Sequence, residues 1–600
     1  MASHRGDDAR VPNVTGSDEV AMVFLGLHVA IWVVLVLYFA GMLLMGWWSK
    51  RGIHNQEGYL LGNRQFGTSM MVMHAFGAGT NPGDVAGVMS KTVSSGASGI
   101  WVSWMWMFGT PFYWLIAPIV RRMRCLTLAD FFEERYGKPA SALYIVVASA
   151  GMIVCLASVL LATARTAQGL MGKATTRVAV AEQAASDTEA AEAETATLTE
   201  RESDMWFFGI LFVTTAVFLV YSYWGGIVAA IRTDMIQGLM IIALSVIAIP
   251  AALNLTEVGG LSGMRTTLAA QANGGTLLSL FDRGQFDLLT VILLCINAPL
   301  SALAFPHLIP VCGAGRTEWE GRVGFTYGNM LKRICTIGWC LLGLAWLAYL
   351  IQTDAAIHPD AAFGDSIRML LSPLLQGVML ACVLATAMSS GDAFQITIAG
   401  LFSENIYRTY IKPDADGKHM VHVTRIAGIV VVLIALGIAI AVRESLVKAI
   451  LSYFNILALV GISTAMGILW RRMNTVGMFC STISAVAVFV GTRIFMPQAW
   501  GLTTGMSILV GVVAGVVGSL LSRPPERERI ERFLTKIYVP IGQEAKLDLP
   551  LDEAVPASQR WVTAGGLFIP KPTRQTWLGF LITLGICVAC VVVMLMLLKG

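Results

Sequence analysis

The sequence predicts an all-α polytopic membrane protein of about 14 transmembrane helices, with two sets of five related by inverted topology at its core. Three observations carry that prediction. The 600 residues are 56% hydrophobic and only 13% charged, with a mean hydropathy of +0.68, outside the range of soluble domains. Apolar runs long enough for the roughly 20 residues that cross a bilayer as a helix recur near 22–48, 67–92, 98–120, 139–171, 205–224, 234–254, 286–310, 325–351, 374–400, 424–442, 448–470, 474–495, 505–522 and 576–598. Finally, the second and seventh of these spans are both interrupted by Gly or Pro. Each opens a set of five, and because five is odd the second set enters the membrane from the opposite side, the pattern of an inverted-repeat transporter.

In order along the chain, residues 1–66 form a polar tail, a first helix and a loop, and the first apolar run is too long for a signal peptide's h-region. The second span contains Phe76-Gly-Ala-Gly-Thr-Asn-Pro-Gly-Asp84. Glycine lets the backbone leave helical geometry and Pro82 removes a donor. Unwound backbone at membrane depth survives only inside protein or beside a wet cavity, and its freed carbonyls suit a small hard cation. A carboxylate at such a break marks a transport site; the plainer account is a kinked helix with Asp84 bonded to a neighbour.

The first repeat is read as 67–254, with an acidic external insert at 173–204. Arg165 ends the fourth span, where it would snorkel to the outer interface or meet an anionic solute. Gly225-Gly226 is expected to make a tight turn between the fifth and sixth spans, and Asp234 to open the sixth as a cap on the helix dipole. The second repeat is read as 286–470, its first span interrupted at Asn297-Ala-Pro299 and at Pro306-His307. In the ninth span Thr386, Ser389, Ser390 and Asp392 concentrate oxygen donors on neighbouring positions, suited to a hard monovalent cation. The alternative is that these hydroxyls bond back to their own helix. Residues 474–600 hold peripheral helices, with a cytoplasmic segment at 522–575 expected to lie on the membrane surface as a mixed-charge helix.

Lys and Arg gather in the loops that follow the first, third, seventh, ninth and eleventh spans. The positive-inside rule makes those loops cytoplasmic and puts both termini outside, in a multi-pass protein of the plasma or inner membrane. The ten cysteines have neither metal-ligand spacing nor a disulfide pattern. No nucleophile–base set or phosphate loop is present, so no enzyme and no organic cofactor is expected. Nucleic-acid binding has no support, and a monomer or weak oligomer is expected.

Several blocks resemble the sodium/solute symporter family of sodium–glucose cotransporters and proline permease: Gly58–Arg64, Leu126–Gly137, Gly225-Gly226 with Thr233-Asp234, Ser389-Ser390 followed by Leu401–Tyr407, and Leu469–Asn474. The resemblance spans roughly 50–480 and implies a leucine-transporter-like fold with sodium-coupled import. Carried residue by residue, it implies a sodium held by the carbonyls of Gly77, Thr80 and Thr386 and the hydroxyls of Ser389 and Ser390, with Gly77 standing where the family usually has alanine. It implies a second site, for a cation or a proton, at Asp234 and Asp392. Asp84 and Ser103 replace the histidine and glutamate of the sugar transporters, which argues against glucose. Asn81, Asp84, Ser103, Trp104, Asn297 and Asn455 are the candidate solute contacts. The expected activity is sodium-coupled import of a small polar organic solute by alternating access, with Na+ as the only metal. A proton-coupled carrier of the same fold and a non-transporting solute sensor are the alternatives.

Overall fold

The structure, a computed structural model, describes residues 23–24, 27–49, 56–174, 200–282, 284–562 and 566–599. The polar N-terminal tail, Lys50 and Arg51, and most of the 173–204 insert lie outside those residues. The main helices are α1 (Val29–Ser49), α2 (Thr68–Gly79), α3 (Pro82–Ser95), α4 (Tyr113–Arg122), α5 (Leu128–Tyr136), α6 (Lys138–Leu170), α7 (Glu200–Val246), α8 (Leu288–Ala304) and α9 (Leu308–Gly313). They continue as α10 (Glu318–Thr353), α11 (Pro373–Phe402), α12 (Gly417–Ala441), α13 (Leu446–Leu469), α14 (Thr475–Phe495), α15 (Trp500–Leu521), α16 (Arg527–Tyr538) and α17 (Arg574–Lys599).

Among the described residues nine helices are long and apolar enough to cross a membrane, and two shorter apolar ones lie at Val29–Met45 and Leu288–Ala304. The expected count of 14 is not reached this way, partly because interrupted spans divide. The 67–92 run becomes α2 and α3, of 12 and 14 residues. The 98–120 run becomes short 3-10 and α segments ending in α4.

The first break is built by local chemistry. Thr80 and Asn81 are extended, and α3 restarts with Pro82 at its first position, where a missing N–H costs nothing. Asn81 and Asp84 close a capping box: the Asn81 side chain accepts from the Asp84 N–H at 3.2 Å, and Asp84 Oδ2 accepts from the Asn81 N–H at 2.9 Å. Further along the chain, α8 runs unbroken through Pro299. Of the two interruptions expected there, only the one at Phe305–His307 opens the helix.

Helical bonding in α7 continues through Gly225-Gly226, so the turn expected there is not a break. The run is not straight, however. Phe218 lies against Gly391 while Asp234 bonds Ser389, two residues away on α11. In a straight helix positions 218 and 234 would be about 24 Å apart, so α7 bends between them.

α10 lies directly on α2. A Cβ at Gly328 would fall 2.5 Å from the Val72 carbonyl oxygen, and one at Gly324 2.8 Å from the Met71 side chain. Small residues allow that approach, and one turn beyond Gly328 it delivers Lys332 to the break. The basic end of the bundle is stitched by backbone bonds: Phe66 N–H donates to Ala314 and Arg316 N–H to Phe66. There Arg135 donates to the carbonyls of Gly467 and Trp470, and Tyr136 to that of Ser463. α16, expected on the membrane surface, instead buries Ile530, Phe533, Leu534 and Ile537 on the protein, with Phe533 5.3 Å from Phe131 of α5.

Candidate solute and cation site

The two breaks meet at the centre of the bundle. A cavity of about 50 Å³ lies between them, lined by Gly79 and Asn81 from the first break and by Phe305 and His307 from the second. Lys332 and Arg333 of α10, Phe394 of α11 and Tyr453 of α13 complete its wall.

The carbonyls of the first break point two ways. On the α11 side the Ser390 hydroxyl donates towards Gly77 O at 3.3 Å and Thr80 O at 3.0 Å. Three of the five expected sodium ligands are therefore together. Thr386 sits one turn earlier on α11, its hydroxyl donating to Val383 O at 2.6 Å. Ser389 is drawn elsewhere, its hydroxyl donating to Asp234 Oδ1. The other Asp234 oxygen is 2.6 Å from His74 Nδ1, and both side chains are fully buried. Asp234 is thus no helix cap: it lies within α7 and ties α2 to α11. His74 Nε2 has no partner among the described residues. Asp392 is buried within electrostatic reach of Tyr38 and Tyr59, and Tyr38 also feels Asp234. The Tyr38 hydroxyl accepts from Gln237 at 3.0 Å, which seats α1 against this cluster.

On the α10 side the Lys332 ammonium donates to Gly79 O at 2.5 Å and Asp84 Oδ2 at 2.7 Å. Asp84, expected to receive solute, therefore already holds a protein cation. Arg333 is 1% exposed and donates to the Ser103 carbonyl at 3.1 Å. Ser103 and Trp104, expected as solute contacts, stand behind it: the Ser103 hydroxyl is 3.0 Å from Thr336, and Trp104 Nε1 donates to Arg333 O at 3.0 Å. Asn297 reaches the Phe454 carbonyl at 3.5 Å, and Asn455 is bonded by Thr504 at 2.7 Å. Of the six expected contacts only Asn81 lines the cavity. Arg165 does not snorkel: it is buried, donates to Gln168 at 2.9 Å and stacks 4.3 Å from Phe207.

His74, Lys332 and Arg333 went unread in the sequence, although each is an ionisable group within an apolar run. That is by itself the mark of function at membrane depth.

The profile of the family described as Sodium:solute symporter family matches residues 59–176 and 196–485. Among curated relatives, the osmoregulated proline transporter OpuE of Bacillus subtilis is 24% identical over 513 residues, covering 83% of this chain and 96% of that protein. The sodium/proline symporter of Escherichia coli is 24% identical over 524 residues, covering 84% and 95%. Among solved structures, a sodium-coupled sialic acid symporter in a substrate-bound outward-open state is similar in fold. Its TM-score is 0.67 at 17% identity, covering 83% of this chain and 99% of that one.

Proposed function

This chain belongs to the sodium:solute symporter family, and from that premise we propose that it imports a small organic solute with sodium by alternating access. The observation that carries the mechanism is the Ser390 hydroxyl within reach of two carbonyls at the first helix break, at 3.3 and 3.0 Å. Sodium bound there, among the carbonyls of Gly77, Thr80 and Thr386 and the hydroxyls of Ser389 and Ser390, would tie α2 to α11. A cation that links two parts able to move apart stabilises the arrangement in which both hold it, and that arrangement presents the solute cavity. Each positive charge moving inward at about 100 mV contributes about 2.3 kcal/mol to accumulation. The repeats proposed are 67–254 and 286–470, with the basic loops cytoplasmic and both termini outside.

The test is the melting temperature of purified protein in sodium against choline at equal ionic strength. Sodium at a hundred times its dissociation constant should stabilise wild type by about 2.7 kcal/mol, and Ser390→Ala should lose that gain. Equal melting in the two salts for wild type would sink the reading.

A second reading is favoured by the engagement of Asp234 with His74 and Ser389. An imidazole bonds the Asp234 carboxylate, which favours proton coupling at Asp234 and Asp392 as the alternative. Solute uptake driven by a pH gradient without sodium would select it.

A further inference from the structure

Resting on the symport reading, we propose that the solute is a small organic monoanion without an amino group. Its carboxylate docks on Arg333 and Lys332 in the cavity between the two breaks. Both cations are buried, at 1% and 5% exposure, and both line the cavity. Between them they have one carboxylate, Asp84, and it is taken by Lys332 at 2.7 Å. Among the described residues Arg333 forms no ion pair; it bonds to the carbonyl and hydroxyl of Ser103, at 3.1 and 3.4 Å, and to the Tyr113 side chain, and its Nε has no partner. Asp84 lies within electrostatic reach of Arg333 but is paired with Lys332, and a guanidinium at membrane depth without a carboxylate of its own is costly to bury. A carboxylate, matching its fork, is the ligand that removes that cost.

Lys332 points to the same ligand. Two of its three N–H groups go to Gly79 O and Asp84, which leaves one for the cavity. His307 Nδ1, also on the cavity wall, has no partner among the described residues and can serve the ligand's polar end. The remaining wall is largely aromatic, with Trp106, Phe305, Phe325 and Phe394, and fits an apolar body. A neutral polyol would leave Arg333 uncompensated, and a protonated amine would find Asp84 already engaged. The site discriminates against both.

The experiment is the melting temperature of the full chain in saturating sodium with propionate, benzoate and phenylacetate, their neutral amides, L-proline and glucose as probes. Stabilisation by at least one of the three carboxylates, and by no amide, proline or glucose, is the expected result. Arg333→Gln should weaken the active carboxylate by about a hundredfold or more, and Arg333→Lys, which keeps the charge, by about tenfold. Equal shifts with an amide, a response to proline or glucose alone, no response to any carboxylate, or a carboxylate response unchanged in Arg333→Gln would each overturn the proposal. If Arg333→Gln does not fold, the comparison rests on Arg333→Lys, where an unchanged affinity overturns it. A wild type that melts identically in sodium and choline fails the symport reading. One that responds to sodium but not to carboxylates fails this inference alone.

Discussion

The two buried polar clusters flanking the first helix break use neighbouring carbonyls in opposite ways. Towards α11, Gly77 O, which also accepts from the Thr80 N–H, and Thr80 O meet the Ser390 hydroxyl, a neutral group. Towards α10, Gly79 O is held by the Lys332 ammonium, a cation the chain carries permanently. On the proposed sodium reading, one unwound turn serves an exchangeable cation on one face and a tethered one on the other. The difference teaches that an acidic residue at a break is not by itself a ligand site. Asp84 is fixed by Lys332, whereas Asp234 holds His74 and Ser389. What decides the role of each face is which helix supplies the opposite charge.

The comparison breaks most sharply at the tethered cation. Lys332→Met leaves Asp84 a buried carboxylate without its partner, and Asp84→Asn leaves the ammonium alone; either should cost about 3–5 kcal/mol. The double variant should recover a large part of that loss in the same thermal melts, because neither charge then remains. Singles that melt like wild type would show that the pair is not what holds this face together.

The next effect separates two glycines of α2. A Cβ at Gly77 would fall 2.7 Å from Ser389 Oγ and 3.2 Å from Asp234 Oδ1, whereas one at Gly79 meets only the Asn329 side chain, at 3.2 Å. Gly77→Ala should therefore destabilise by about 1–3 kcal/mol and blunt the sodium-specific rise in melting temperature. Gly79→Ala should melt closer to wild type and keep the sodium response. Reversed ranks would mean the exchangeable face has been placed on the wrong side of the helix.

The smallest effect lies outside both clusters and sets their baseline. Asp287 caps α8, accepting from the Leu289 and Thr290 N–H groups at 2.9 and 3.1 Å. Burial alone would raise its carboxyl, but the hydrogen bonds from the Thr290 hydroxyl and these amides outweigh it and hold the group below its usual range. A depressed carboxylate contributes stability that is present above its unfolded value and disappears as pH falls through the folded one. Asp287→Ala should cost about 1 kcal/mol near neutrality, with the gap to wild type closing below about pH 4. A gap that persists in acid would assign the loss to packing instead of charge.

Much of this molecule is local and was therefore legible. Asn81, Pro82 and Asp84 sit within four positions, so their capping box and the restart of α3 follow from neighbours in the chain. The polar group Ser389-Ser390 was visible because one helix displays it. Pro299 misled because a proline inside a packed membrane helix loses its bond without opening the helix, and only Phe305–His307 does so. Ser103 and Trp104 were placed beside the solute although they hold Arg333 from behind; the face a residue turns inward depends on its neighbours.

Taken by itself, the sequence determined the class, the helical spans, the first break and the oxygen-rich turn opposite it. Each of these depends on hydrophobicity, backbone propensity or capping within one segment. Only the tertiary structure decided the pairings: Lys332 with Asp84 across 248 positions, His74 with Asp234 across 160, and Ser389 with Asp234 across 155. Electrostatic partnership at membrane depth is set by which helices touch, and at α2 and α10 that contact is allowed by Gly324 and Gly328, which carry no charge.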